Sequence, residues 1–332
     1  MSTFHLLGNP FFKWESENIE LNETLTLRRP NKSELEAIRK RMRTLLVAIG
    51  NTENPYGIGF ERLGESSDDG IKKRYYNNQA IENGKHNYWL IDSKENDLSW
   101  NETVPLALTD YKIIRLFRAE DSGKFYRTYN QTFIYLNDVT SDFFYTFFPS
   151  LKDDVKDQFL EIHGQYNSLN NEKDTFLKVA ARNYLNSFSI PNLSYFRIVA
   201  LFGILESLLI NKNSKNYYGT GRNFEHNKNS ITRQLQTKSL FLHRRFSDKL
   251  KFNDYFKGSR PETIIKDLYS LISHAAHGKE FDWSEYIKNL YPASTIMFEE
   301  QRLIIEFVTE LTRLIIIEGL KNPQELNELR EI

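Results

Sequence analysis

Asp267-Leu268-Tyr269-Ser270-Leu271-Ile272-Ser273-His274-Ala275-Ala276-His277-Gly278 reads as the end of a helix. Leu268, Leu271, Ile272 and Ala275 recur at helical spacing and suit a core. Tyr269, Ser273 and His277 fall on a second face, four residues apart. Gly278 is a helix stop, so His274 and His277 stand in the last turn, at the negative end of the helix macrodipole. That end favours protonated imidazole, a form able to give a proton to a leaving group. Two other readings fit the same residues. His and Gly are ordinary helix-ending residues, and His274 and His277 at i, i+3 could ligate a metal. No third ligand stands nearby, so no metal site and no cofactor are expected.

Outward from this stretch the period is helical from about Asp153 onward. Helices are expected over Val155 to Tyr166, Thr175 to Asn186, Ser194 to Ile210, Ser230 to Phe246, Glu262 to Ala276 and Ser294 to Leu320. Turn residues such as Ile190-Pro191-Asn192 and Gly258-Ser259-Arg260-Pro261 separate them, the pattern of an up-and-down bundle. The first half is mixed. Ile19 to Leu27, Tyr88 to Ile91, Lys112 to Phe117 and Thr132 to Leu136 read as strands from their β-branched and aromatic content. Ser33 reads as the N-cap of a helix from about Glu34 to Ile49, with Glu36 as its capping-box partner. The fold class is therefore α+β: a mixed α/β domain over residues 1–150, then an all-α helical bundle over 151–332.

A chain of 332 residues with 40% hydrophobic and 14% aromatic content can bury two cores. It has no cysteine, which excludes disulfides, thiolate metal sites and cysteine nucleophiles. The first residues lack a basic region followed by a long apolar one, and no run reaches the roughly 18 apolar residues of a membrane span. A cytoplasmic protein is expected, with no membrane partner. The formal net charge is zero, but its distribution is uneven. Between Asn211 and Arg260 twelve Lys and Arg, among them Arg233, Lys238, Arg244, Arg245 and Arg260, face three acids. Such a belt suits a phosphate backbone, and equally a solvated surface whose charges pair with acids elsewhere. Gly57-Ile58-Gly59 is too short for a nucleotide loop, and no strand-elbow-helix context supports serine hydrolase chemistry.

With these elements in place, the second half resembles the HEPN superfamily, in particular the Apea-like HEPN domains of bacterial antiviral defence proteins. Three stretches carry the resemblance. Tyr195-Phe196-Arg197-Ile198 through Leu205-Glu206-Ser207-Leu208-Leu209 resembles an early helix with a Leu-Glu-Ser-Leu signature. Ser230 to Lys238 resembles a middle helix. Leu268-Tyr269 through His277-Gly278 resembles a late helix written Leu-Tyr-x-x-Arg-Ser-x-x-x-His-Gly. The resemblance implies a metal-independent endoribonuclease of abortive infection, RNA as substrate, a homodimer with a composite cleft, and a phage-derived trigger or partner protein. It implies that the 2′-hydroxyl of RNA attacks the adjacent phosphate while histidine moves protons and arginine holds the phosphate.

The motif histidine falls on His277, but the motif arginine falls on Ile272. No arginine lies between Arg260 and Arg302, so a small shift does not restore it. Ile272 fits a natural degenerate member, and it fits a substitution that disarms a toxic nuclease. By analogy with removal of one oxyanion-hole donor, its loss would cost about 100- to 1,000-fold in rate. Ser273, His274 and Tyr269 share the neighbourhood. Glu206 is costly to bury in its apolar run unless paired. It suits orienting His277 or pairing with an arginine, and it equally suits a helix edge. The alternative function is a non-catalytic scaffold that dimerises or binds RNA or a protein, or a regulator of another nuclease.

Overall fold

The computed structural model describes residues 3–7, 18–37, 65–66, 73–74, 90–94, 98–113, 115–120, 125–127, 154–190, 194–210, 231–256, 260–276 and 297–331. The chain is α+β and divides into two compact units, Met1–His163 and Gly164–Ile332. The division falls inside a helix, Asp154–Ser168, and not at residue 150. Val155 and Phe159, in the first half of that helix, belong to the same apolar cluster as Ile19, Leu25, Leu27 and Ile91 of the sheet.

The first unit is built on a six-stranded antiparallel sheet in the order β2-β3-β6-β1-β7-β8. Its strands are β1 Thr3–Leu7, β2 Asn18–Glu20, β3 Leu25–Arg28, β6 Leu90–Ser93, β7 Arg115–Glu120 and β8 Phe125–Arg127. A separate hairpin pairs β4 Glu65–Ser66 with β5 Lys73–Arg74. β1 is central: His5 faces Ile91 of β6 on one side and Arg118 of β7 on the other. The segment expected as one strand from Ile19 to Leu27 is a hairpin of β2 and β3, with Ile19 opposite Leu27. Asn22 causes the reversal. Its Oδ1 accepts from the backbone N–H of Thr24 at 2.9 Å and of Leu25 at 2.8 Å, a side-chain mimic of a backbone turn. Leu25 and Leu27 then alternate inward with Thr26 and Arg28, the period of a half-buried strand.

The helix expected from Glu34 starts two residues earlier. Helix α1 is described over residues 32–37 and its N-cap is Asn31, not Ser33. Asn31 Oδ1 accepts from the Glu34 N–H at 2.9 Å, and Glu34 Oε2 accepts from the Asn31 N–H at 2.7 Å, a reciprocal capping box. Glu34 also receives Arg28 Nη1 at 2.7 Å and Nη2 at 2.6 Å. Arg28 Nη2 reaches Asp92 Oδ1 at 3.1 Å as well. These carboxylates, Glu34 foremost, raise the arginine's pKa against its own partial burial. One guanidinium thus ties the start of α1 to neighbouring strands. The expected remainder of that helix, to Ile49, and the strand at Thr132 to Leu136 lie outside the described residues.

Helix α2, Trp100–Leu108, was not expected because Pro105 interrupts its pattern. Its start is nevertheless written in Ser99 and Glu102, a second capping box. Lys112 follows at φ 48°, a left-handed position that turns the chain toward β7.

The regular elements among the described residues of the second unit are all helices. They comprise the end of α3 (Asp154–Ser168), then α4 Thr175–Ser187, α5 Tyr195–Leu209, α6 Ile231–His243, the single turn α7 Phe252–Tyr255, α8 Pro261–Ala276, α9 Met297–Lys321 and α10 Pro323–Glu331. α5 is the axis of the unit and touches α4, α6, α8, α9 and α10. Its burial explains why: Ile198, Leu201, Phe202, Ile204, Leu205, Leu208 and Leu209 all face protein. Ser194 caps it, its Oγ accepting from the Phe196 N–H at 3.3 Å. α10 begins with Pro323 at the first helical position, where its missing N–H costs nothing.

Candidate functional site

The helices carrying the motif residues, α5 and α8, lie side by side. Ile264, Ile265, Leu268 and Ile272 form the buried stripe of α8. Tyr269, on the neighbouring face, is buried as well, with only 9% of it accessible. Its ring centroid stands 6.3 Å from that of Phe202 on α5. Its hydroxyl donates to Glu206 Oε1 at 2.7 Å. The carboxylate in the apolar run of α5 is half-buried and has a phenolic donor. A hydrogen bond from a neutral hydroxyl to a carboxylate is charge-assisted, and it fixes the carboxylate's direction as well as its solvation.

Ile272 is 6% exposed, within the core stripe. Ser273 is half-buried beside it. His274 lies on the last turn of α8, and its side chain is outside the described residues, as is the whole of His277. The structure therefore brings Tyr269 and Glu206 together and places Ile272 and Ser273 on the same helix. Among the described residues no three His, Asp or Glu converge as a metal site would require. Phe202 had not been singled out. Its position four residues before Glu206 puts it on the same face of α5, the signal by which it could have been found.

The basic belt separates into three kinds of residue. Arg233, Arg244 and Arg260 are exposed. Arg245 is engaged: Nη1 donates to Glu325 Oε2 of α10 at 2.8 Å and Nη2 to Glu325 Oε1, while its guanidinium lies 5.3 Å from the Phe241 ring centroid. The glutamate raises the arginine's pKa, and the arginine lowers the glutamate's. Lys238 departs from the belt altogether, being 5% exposed. Its Nζ donates to the carbonyls of Leu209 at 2.9 Å and Arg330 at 3.1 Å, and to Gln234 Oε1 at 3.1 Å. One ammonium thereby closes the C-terminal ends of two helices, α5 and α10, where carbonyls lack intrahelical donors. Burial, followed by the nearby Arg330, lowers its pKa. The sequence did carry this signal. Leu235, Lys238, Ser239 and Leu242 recur at i, i+3, i+4 and i+7, the spacing of a buried stripe, and all four are buried. Lys212, Lys215, Arg222, Lys228 and Lys257 lie outside the described residues.

No helix among the described residues is long and apolar enough to cross a membrane. Compared with protein-family models, curated proteins and solved structures, the chain matches none.

Proposed function

We propose that this protein is a HEPN-type, metal-independent endoribonuclease of bacterial anti-phage defence, impaired by the absence of the motif arginine. The observation that supports this reading most is the Tyr269–Glu206 hydrogen bond, which joins the helix bearing Leu-Glu-Ser-Leu to the helix bearing the histidine motif. In this reading the RNA 2′-hydroxyl gives up its proton to water as its oxygen attacks the adjacent phosphorus, and the P–O5′ bond breaks. The departing 5′-oxygen takes a proton from His277, and the product carries a 2′,3′-cyclic phosphate. Ser273 and His274 flank the reacting groups, and Glu206 with Tyr269 sets the electrostatics of their helix. The protein acts in the cytoplasm as a homodimer, and the sheet-bearing unit senses a phage-derived trigger or partner protein.

The burial of Ile272 favours a second reading, a non-catalytic HEPN scaffold that binds RNA or a partner protein, or regulates another nuclease. An apolar side chain packed in the core stripe leaves nothing at that position to hold a phosphate.

RNA cleavage by the protein beside its Ile272→Arg variant separates the two. A gain of at least about tenfold is expected from supplying a cationic fork to the phosphate. The gain should survive EDTA and vanish on adding His277→Ala. Because arginine would enter a buried position, circular dichroism and light scattering accompany the assay. An Ile272→Arg protein that folds and dimerises normally yet cleaves no RNA would establish the scaffold reading instead.

A further inference from the structure

α10 sets an acidic helix against the basic belt. Glu325, Glu328 and Glu331 outnumber its one cation, Arg330. Glu325 meets Arg245, in the turn that follows α6, through both guanidinium Nη atoms. That two-pronged fork is also the geometry in which an arginine holds a phosphate. The pair is open to water: 30% of the arginine side chain and 44% of the glutamate side chain are accessible. An incoming anion can therefore reach it without unpacking the core. Each partner is also held in place independently of the other. The Phe241 ring centroid, 5.3 Å away, backs the guanidinium. α10 is anchored by buried Leu326, packed toward Gly319 and Leu177, and by the Arg330 carbonyl, which accepts from Lys238 Nζ at 3.1 Å. The Glu325 carboxylate can thus swing off Arg245 while α10 stays docked. An exposed ion pair contributes little to stability, so exchanging its anion costs little. Arg244, the preceding residue, is exposed as well.

We propose that Glu325 is a built-in competitor for RNA: its carboxylate occupies the Arg245 fork where a phosphate of the RNA would sit, and RNA binds this face by displacing it. This rests on the reading of the protein as RNA-directed and names a regulation of its RNA-binding surface. A carboxylate of an acidic peptide would meet a tethered carboxylate of the same chemistry and gain nothing by replacing it. An RNA strand carries a phosphate at every nucleotide, so one strand can take the Arg245 fork and the adjacent Arg244 together.

The test uses the full chain and fluorescence anisotropy. The probe is a fluorescein-labelled 2′-O-methyl oligouridine of about 20 nucleotides, longer than the roughly 4–16 nucleotides that one single-strand groove covers. The 2′-O-methyl group removes the nucleophile, so cleavage cannot confuse binding. Glu325→Gln should tighten binding by about two- to fivefold, the worth of an exposed ion pair expressed as affinity. Glu328→Gln makes the same charge change three residues along α10, where the carboxylate accepts from Gln324 and not from an arginine. Its gain should be no more than about half as large, because salt screens a charge that makes no contact. In an Arg245→Gln background Glu325→Gln should add nothing beyond what Glu328→Gln adds. Thermal melts accompany the assay to show that each variant is folded. Equal gains from the two glutamate variants would reduce the effect to net charge and overturn the proposal. RNA binding that Glu325→Gln leaves unchanged would overturn it and leave the RNA-directed reading standing. Equal competition by polyglutamate and unlabelled oligouridine would make the face a general polyanion surface and overturn the assignment to RNA. If no protein in the series binds the probe even at low salt, the RNA-directed reading falls and the proposal falls with it.

Discussion

Tyr269 and Glu206, 63 residues apart in sequence, meet through a 2.7 Å hydrogen bond from phenol to carboxylate across α8 and α5. Tyr269→Phe removes only the donor and keeps the ring packed near Phe202. The expected loss of stability is about 1.5–3 kcal/mol, the range for hydrogen bonds to charged groups. In a double-mutant cycle with Glu206→Gln the coupling should be about 1 kcal/mol or more. Chemical denaturation of the four proteins measures it. Additive effects would mean that the bond contributes nothing to holding the two helices.

Lys238→Met keeps the aliphatic volume and deletes the ammonium that closes two helix ends. The carbonyls of Leu209 and Arg330 would each lose a donor. Destabilisation of about 2–4 kcal/mol is expected, since a buried unsatisfied polar group costs about 1–3 kcal/mol. An equally charged surface lysine such as Lys249 should tolerate the same change within about 0.5 kcal/mol. Thermal melts of the two variants decide the matter. Similar melting temperatures would show that Lys238 behaves as an ordinary belt residue.

Two glycines should respond with opposite signs. A Cβ at Gly203 of α5 meets nothing within 4 Å, so Gly203→Ala should stabilise by up to about 1 kcal/mol through helix propensity. A Cβ at Gly319 of α9 would lie 2.5 Å from Leu326 Cδ2 and 3.1 Å from Leu177 Cδ1, both on buried side chains. Overpacking costs about 1–3 kcal/mol and outweighs the same propensity gain. Gly319→Ala should therefore melt lower than the parent, and Gly203→Ala higher.

His163 gives the sheet-bearing unit a sensitivity to acid. Burial lowers its pKa from 6.5, only partly opposed by Glu102, and its ring lies 5.2 Å from that of Phe159. The folded pKa is below the unfolded one, so the unfolded chain takes up a proton first as pH falls. Stability is then lost from about pH 6.5 downward, until the folded state is protonated as well. His163→Gln should flatten this part of the stability profile. Denaturation midpoints at pH 7 and at pH 5 should differ less in the variant than in the parent.

The helices of the second unit were legible because their apolar residues repeat over three or more turns. Thr175–Ser187, Tyr195–Leu209 and Pro261–Ala276 begin and end within about two residues of where the pattern places them. The sheet was less legible. Thr3–Leu7, its central strand, is five residues long, too short for periodicity to mark. The reversal at Asn22 depends on one side chain's hydrogen bonds within an otherwise strand-like run. Charge counting misplaced Lys238, because it treats every lysine as solvated, whereas the stripe from Leu235 to Leu242 sets the direction of this one. The Tyr269–Glu206 contact was out of reach of local pattern, since nothing within either helix specifies which partner the other offers.

Helix α10 is fastened at one point to α6 and at another to the turn that follows it. Glu325 grips Arg245 near one end, and the Arg330 carbonyl receives Lys238 about two turns away. The order of these contacts, 325 with 245 and 330 with 238, makes the two helices run antiparallel. Neither helix can fray far at the joined positions without releasing the other. Their amide hydrogens should therefore exchange with solvent as one cooperative unit, although about eighty residues of chain separate them.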